Sequence, residues 1–193
     1  MKLLPGDEIE YTVSYLAMNK IPEFGFREKS LRNTLLLRTK NPPASYFLEL
    51  YRRVGADYEW TDMLLCPLNE VERFLSNTRV EMYTFLKDGW TAGFFVLDRR
   101  EKNVCDLAYF GLVFEAIGFG FGKYLLRQAI ELSWEFEETR RVTVNTNSLD
   151  HPNALPLYKK MGFKLLKSKV QKRILERSRN AKSTNSLTGT SNV

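Results

Sequence analysis

Three glycines fall at every second position, Gly118, Gly120 and Gly122, interleaved with Phe119 and Phe121. Glycine has no Cβ, so a run of this kind lets successive backbone N–H groups turn toward one point without obstruction. If a helix follows, its first-turn donors are free and its dipole favours a negative charge there. A pyrophosphate is the natural occupant. The same glycines could serve only close packing of a helix on a strand, and the motif alone does not separate the two readings. Its spacing does exclude the common nucleotide loops. A Walker loop needs Ser or Thr after its lysine, and Lys123 is followed by Tyr124. A dinucleotide fold needs Gly-x-Gly-x-x-Gly inside a parallel βαβ unit, and these glycines alternate after strands that read as antiparallel.

The elements that must position this turn follow from hydrophobic periodicity. Residues 9–18 alternate Ile9, Tyr11, Val13 and Tyr15 and read as a strand. Residues 31–38 are apolar and fit either helix or strand. Pro42 and Pro43 favour a helix start, and 44–54 places Phe47, Leu48 and Tyr51 on one face before Gly55. A short helix is expected at 68–75, after Pro67. Strands at 79–86 and 90–97 are joined by the hairpin signal Lys87, Asp88, Gly89, and 103–113 is a third strand of the meander. Phe121, Leu125, Ala129, Leu132 and Phe136 then recur at helical spacing. A strand at 141–146, a short helix at 152–161 ended by Gly162, and a last strand that begins over Phe163 to Leu166 complete the order. The fold class expected is α/β: a mixed, mostly antiparallel twisted sheet flanked by helices, in a single domain over 1–174, with a polar, disordered tail at 175–193.

Composition bounds the function. A hydrophobic fraction of 44% in 193 residues supports a folded core. No apolar run is long enough for a membrane span, and the opening residues turn acidic too early for a signal peptide. Two cysteines make no disulfide framework and one histidine makes no histidine-based metal cluster, so a reduced, cytoplasmic protein without a metal is expected. The net charge is +6, but from Lys164 onward there are eight Lys or Arg against one acid, Glu176. The body before it is close to neutral, which argues against nucleic acid as a partner and for a solvated polar end.

Two stretches together resemble the core of the GNAT N-acetyltransferase superfamily. The first, 112–126, contains the glycine turn and matches the family's strand, pyrophosphate loop and helix. The second, 153–163, contains Asn153, Tyr158, Gly162 and Phe163 and matches its second coenzyme motif. The resemblance implies acetyl-CoA as co-substrate and a primary amine of a small molecule or peptide as acceptor. An acyl-CoA-binding regulatory module without turnover is the alternative, and homodimers are common in the family. The resemblance places the coenzyme against Leu112, Val113, Gly118, Phe119, Gly120, Gly122, Lys123, His151 and Asn153. Ile117 and Phe119 stand where the family often carries Arg, Gln or Lys, so the cradle here would rest on backbone donors and Lys123.

By the same resemblance Tyr158 donates a proton to the departing thiolate, which suits a phenol that is neutral at pH 7. Backbone groups of Leu112 and Val113 would line the pantetheine arm, with one N–H polarising the thioester carbonyl. His151 would touch the same arm; its other readings are loop packing or a base. Pro156 must lie in the first turn of its helix, which makes Asn153 the expected N-cap. For the general base, Asp106 shares strand parity with Ala108, Phe110 and Leu112 and would face the thioester unless a bulge intervenes. Tyr109, Glu115 and a water chain are the rivals. Tyr46, Tyr58, Trp60 and Glu49 are candidates for holding a cationic acceptor.

Overall fold

Asp88 and Gly89 take left-handed φ values of 48° and 86°, the two-residue turn that matches strand twist, and they join β4 (Val80–Lys87) to β5 (Trp90–Asp98). The computed structural model describes residues 2–24, 31–176 and 178–180. Around that hairpin lie β1 (Lys2–Leu3), β2 (Glu8–Met18), β3 (Thr34–Thr39), β6 (Val104–Leu112), β7 (Arg141–Asn147), β8 (Lys164–Ile174) and β9 (Arg179–Asn180). The helices are α1 (Ala44–Gly55), α2 (Asp62–Leu65), α3 (Leu68–Leu75), α4 (Phe121–Trp134) and α5 (Ala154–Lys160). The ambiguous segment at 31–38 is therefore a strand, paired along β4 from Thr34↔Lys87 to Thr39↔Met82.

Seven strands form one sheet in the order β3-β4-β5-β6-β7-β2-β8. All neighbours are antiparallel except β6 and β7, which α4 connects as a parallel crossover. α4 covers one face of the sheet with Leu125, Leu126, Ala129 and Ile130, all buried, and Phe121 meets Phe85 edge-on. α1 covers the other face, where Phe47, fully buried, packs edge-on against Phe94 and Tyr109. No helix among the described residues is long and apolar enough to cross a membrane.

The first long strand does not lie at the edge. β2 is inserted between β7 and β8 and pairs β8 from Glu8↔Ile174 to Ala17↔Lys164. β8 therefore runs well beyond Leu166. Almost every residue along it is exposed, and Lys167, Lys169 and Lys172 mark it as a charged sheet edge. Much of the basic excess near the C-terminus thus belongs to a strand. The polar tail was expected from residue 175. Leu175 is 1% exposed and exchanges hydrogen bonds with Gly6 and Asp7, and Arg179–Asn180 pair with Lys2–Leu3. Residues 181–193 lie outside the described residues.

Candidate active site

β6 and β7 are paired only through Val104↔Arg141, Cys105↔Val142 and Asp106↔Thr143. Beyond Asp106 they part, and a cavity of about 580 Å³ occupies the gap. A bulge shapes its wall. Tyr109 pairs with Val96 and Leu107 with Leu97, which leaves Ala108 as the extra residue. The insertion reverses the parity of the strand. Asp106, Tyr109 and Gly111 face α1, whereas Leu107, Phe110 and Leu112 face α4 and α5. Contacts agree: Tyr109 meets Tyr51 at 5.4 Å, a Cβ on Gly111 would lie 2.2 Å from Val54, and Phe110 meets Tyr158 at 6.1 Å.

The bulge decides the fate of Asp106. It does not share a face with Phe110 and Leu112, and it is not on the cavity wall; its carboxylate accepts the Thr143 hydroxyl at the closed end of the strands. Burial there raises its pKa above the ordinary carboxylate value. The other base candidates separate in the same way. Tyr109 lines the cavity, and Glu115 is exposed beside Arg53.

Val113 follows β6, is fully buried and donates its N–H to Ala92 O at 3.0 Å. That bond fixes Val113 and Ala92 as a hydrogen-bonded pair, so Leu112 and Phe110 are non-hydrogen-bonded with respect to β5. Their N–H groups point toward the gap. The N–H groups open to the gap are therefore those of Leu112 and Phe110; the Val113 N–H is committed to the sheet.

The glycine turn closes one end of the cavity. Gly118 and Gly120 have φ of 93° and 79°, and a Cβ on either would meet nothing within 4 Å. Conformation, not crowding, requires glycine at these two positions. Gly120 is the N-cap of α4 and makes no side-chain cap, and the first turn holds no acid. The N-terminus of a 14-residue helix, without a side-chain cap from Gly120, thus lies beside the cavity at the positive end of its dipole. Ile117, Gly118, Gly120, Gly122 and Lys123 line it. Phe119 does not: its ring is 68% exposed and stacks on Phe121.

α5 supplies the opposite lip. Pro156 lies in its first turn as expected, and Gly162 ends it at φ 101°, with Phe163 N–H returning to Tyr158 O. The Tyr158 ring is 5% exposed, wedged edge-on between Phe110 and Phe163, and it lines the cavity. Burial pushes its pKa far above the ordinary phenol value, so it holds its proton. Asn153 occupies the N-cap position but makes no side-chain cap; its N–H donates to His151 Nδ1 at 3.1 Å. His151 meets Tyr58 edge-on, and both His151 and Asn153 line the cavity.

On the α1 face the wall is aromatic and polar. Tyr58 and Trp60 line it; Tyr46 bonds Thr84 and Glu49 pairs with Arg52, both away from it. Three groups had no signal in the sequence. Asp150 accepts from Trp60 Nε1, Thr146 Oγ1 and Asn147 N–H, and so ties the loop after α1 to β7. Arg173, at the end of β8, donates to Glu59 O at 3.0 Å and Thr61 Oγ1 at 2.6 Å. Glu59 itself is buried on the wall.

Comparisons with known proteins agree with this architecture. The family model described as acetyltransferase (GNAT) family matches residues 34–163. No curated protein matches the chain significantly. Among solved structures, the acetyltransferase of GNAT family from Streptococcus pneumoniae is 20% identical with a TM-score of 0.55, over 74% of this chain and 99% of that one. An aminoglycoside acetyltransferase from an uncultured soil metagenomic sample, in complex with sisomicin, is 16% identical with a TM-score of 0.54, over 67% and 88%. A functionally unknown conserved protein from Staphylococcus epidermidis is 12% identical with a TM-score of 0.57 over 88% of this chain, which spans 63% of that protein's length.

Proposed function

Because the chain belongs to the GNAT acetyltransferase family, we propose that it moves an acetyl group from acetyl-CoA to a primary amine of a small molecule or peptide, by direct attack of the amine on the thioester. The observation that carries the reading is the gap between β6 and β7: it joins a helix N-terminus at one end to an aromatic, acid-bearing wall at the other. The first supplies donors for a pyrophosphate. The second suits an ammonium group. A long coenzyme can reach through the gap, with its acyl end between the two.

The residues fit the coenzyme. Backbone N–H groups from Gly120 to Lys123 would hold the pyrophosphate, and the exposed N–H edge of Phe110 and Leu112 would pair with the pantetheine arm. One of those two amides would polarise the thioester carbonyl, a type of contact worth roughly 3 kcal/mol of transition-state stabilisation. Tyr158 would give its proton to the sulfur as the C–S bond breaks. A phenol held protonated by burial is ready for that step at every pH near neutrality.

Calorimetry with acetyl-CoA, and thiol release on adding amines, test the reading. Saturable acetyl-CoA binding with amine-dependent release of CoA is the expected result. Absence of binding at concentrations well above micromolar would refute it.

A further inference from the structure

The turn after α1 carries an unfavourable residue where a favourable one was available. Trp60 N–H returns to Gly55 O at 3.3 Å, the closure in which the residue before the last donor adopts the left-handed conformation. That residue is Glu59, with φ 58°. Glycine fits this position without strain, and a glutamate does not. The side chain compounds the cost. Glu59 is 3% exposed, and its Oε2 is buried with no hydrogen-bond partner. Unpaired buried carboxylates are rare because desolvation is expensive.

The neighbouring cation does not relieve it. Arg173 spends its two terminal nitrogens on Glu59 O, Thr61 Oγ1 and, at 3.4 Å, Asp62 Oδ1, so it clamps the turn and not the Glu59 carboxylate. Its own Nε is left buried without a partner. Arg173 thus holds the strained backbone in place while Glu59 Oε2 stays unpaired at the cavity wall. Strain and an orphaned charge held together at a cavity point to a role in function. Tyr58 and Trp60 flank Glu59 on the same wall, and Tyr11 and Tyr15 of β2 also line the cavity. Aromatic faces around the Glu59 carboxylate, with Asp62 and Asp150 on the same wall, select a cation.

We propose that Glu59 is the catalytic residue of the acceptor side: its carboxylate receives the ammonium group of a small cationic amine and removes one proton from it. The proposal rests on the acetyl-transfer reading above. The proton passes from nitrogen to a Glu59 carboxylate oxygen and frees the nitrogen lone pair, which forms the N–C bond to the acetyl carbon. The C–S bond then breaks, and the sulfur takes the Tyr158 proton. The second surplus proton on nitrogen restores the phenol, and Glu59 returns its proton to solvent. The products are the N-acetylated amine, CoA thiol and one proton.

Glu59→Gln keeps the shape and removes the charge, and Glu59→Gly also removes the strain. Both are measured for melting temperature, for acetyl-CoA affinity by calorimetry, and for thiol release with phenethylamine, tyramine and cadaverine. The wild type is expected to acetylate at least one of these amines. Both variants should bind acetyl-CoA within about twofold of wild type while kcat/KM for that amine falls roughly 100-fold or more. Glu59→Gly should melt above wild type, and Glu59→Gln no lower than it. Unimpaired turnover by the variants would overturn the proposal and leave the donor reading standing. So would a wild type that binds acetyl-CoA yet acetylates none of the three amines. Lower melting of both variants would overturn it too, by showing the carboxylate to be a structural partner. Failure of the wild type to bind acetyl-CoA would instead bring down the donor reading on which it rests.

Discussion

Gly120 offers a way to separate shape from charge in the pyrophosphate cradle. Its φ of 79° is left-handed, and a Cβ there meets nothing within 4 Å, so the only folding penalty of a side chain is conformational. Asp and Asn tolerate this region better than most residues, which keeps the penalty near 1 kcal/mol. For a chain of this length that is a loss of about 2–4 °C in Tm. Gly120→Asn and Gly120→Asp share this cost and similar bulk. They differ by one negative charge at the mouth of the cradle. A carboxylate about 4 Å from a phosphate repels it by about 1 kcal/mol in bulk water and about 4 kcal/mol at an effective dielectric of 20. Gly120 lies on the exposed lip, so an intermediate value of about 2 kcal/mol applies, or roughly 30-fold in affinity. Calorimetry with acetyl-CoA at about 0.05 M and 0.5 M salt reads it directly. The gap between the two variants should be wide at low salt and shrink at high salt, because screening shortens the interaction. Equal affinities for Asn and Asp at low salt would refute the placement of a polyanion at this turn.

Tyr158→Phe should lower kcat by roughly 100-fold, with acetyl-CoA affinity unchanged, since it removes a proton donor and little contact area; unaltered turnover would remove Tyr158 from the mechanism. Asp106→Asn should change kcat by less than about threefold, because the carboxylate faces Thr143 off the cavity wall; a loss near 100-fold would mean that it reaches the amine. Burial raises the Tyr51 pKa from 10.0 to about 12, so the native state keeps a proton that the unfolded chain releases. Its contribution to stability is complete below pH 10 and is lost toward pH 12, at about 1.4 kcal/mol per pH unit. Thermal melts at pH 9 and pH 11 should therefore show Tyr51→Phe losing less than wild type, and equal losses would contradict the shift.

The parts of this molecule that were legible in the sequence are those set by local chemistry. Gly118 and Gly120 announce left-handed backbone, Pro156 and Gly162 bracket α5, and Asp88 with Gly89 announces a hairpin. Residues whose role depends on distant pairing were not legible in this way. Asp106 was assigned by uninterrupted alternation, and only the match of Leu97 to Leu107 and Val96 to Tyr109 exposes the extra residue at Ala108. Val113 was grouped with Leu112, but its N–H belongs to Ala92 on the neighbouring strand β5, a pairing with no local signal. The end of β8 was not legible past Leu166 because an edge strand exposed on both faces has no alternation to read. Arg173 looked like one more charge in a polar end. Glu59 gave no sign, since nothing in the sequence marks a turn position that lacks its expected glycine.

The placement of β2 beside β8 bears on how the protein is made. Every element that flanks the glycine turn, from β4 to α5, is contiguous and ends at Lys160. The acceptor wall instead joins Tyr11 and Val13, near the start of the chain, to Gln171 and Arg173, near its described end. Such long-range pairing forms late, because the intervening chain must be ordered first. During synthesis β2 emerges before β7 and β8 and has no neighbour on either side until they appear, leaving a strand of aromatic and β-branched residues unpaired in the meantime. The two halves of the cavity therefore mature at different times: the glycine-turn side can be complete while the opposite wall still lacks its last strand.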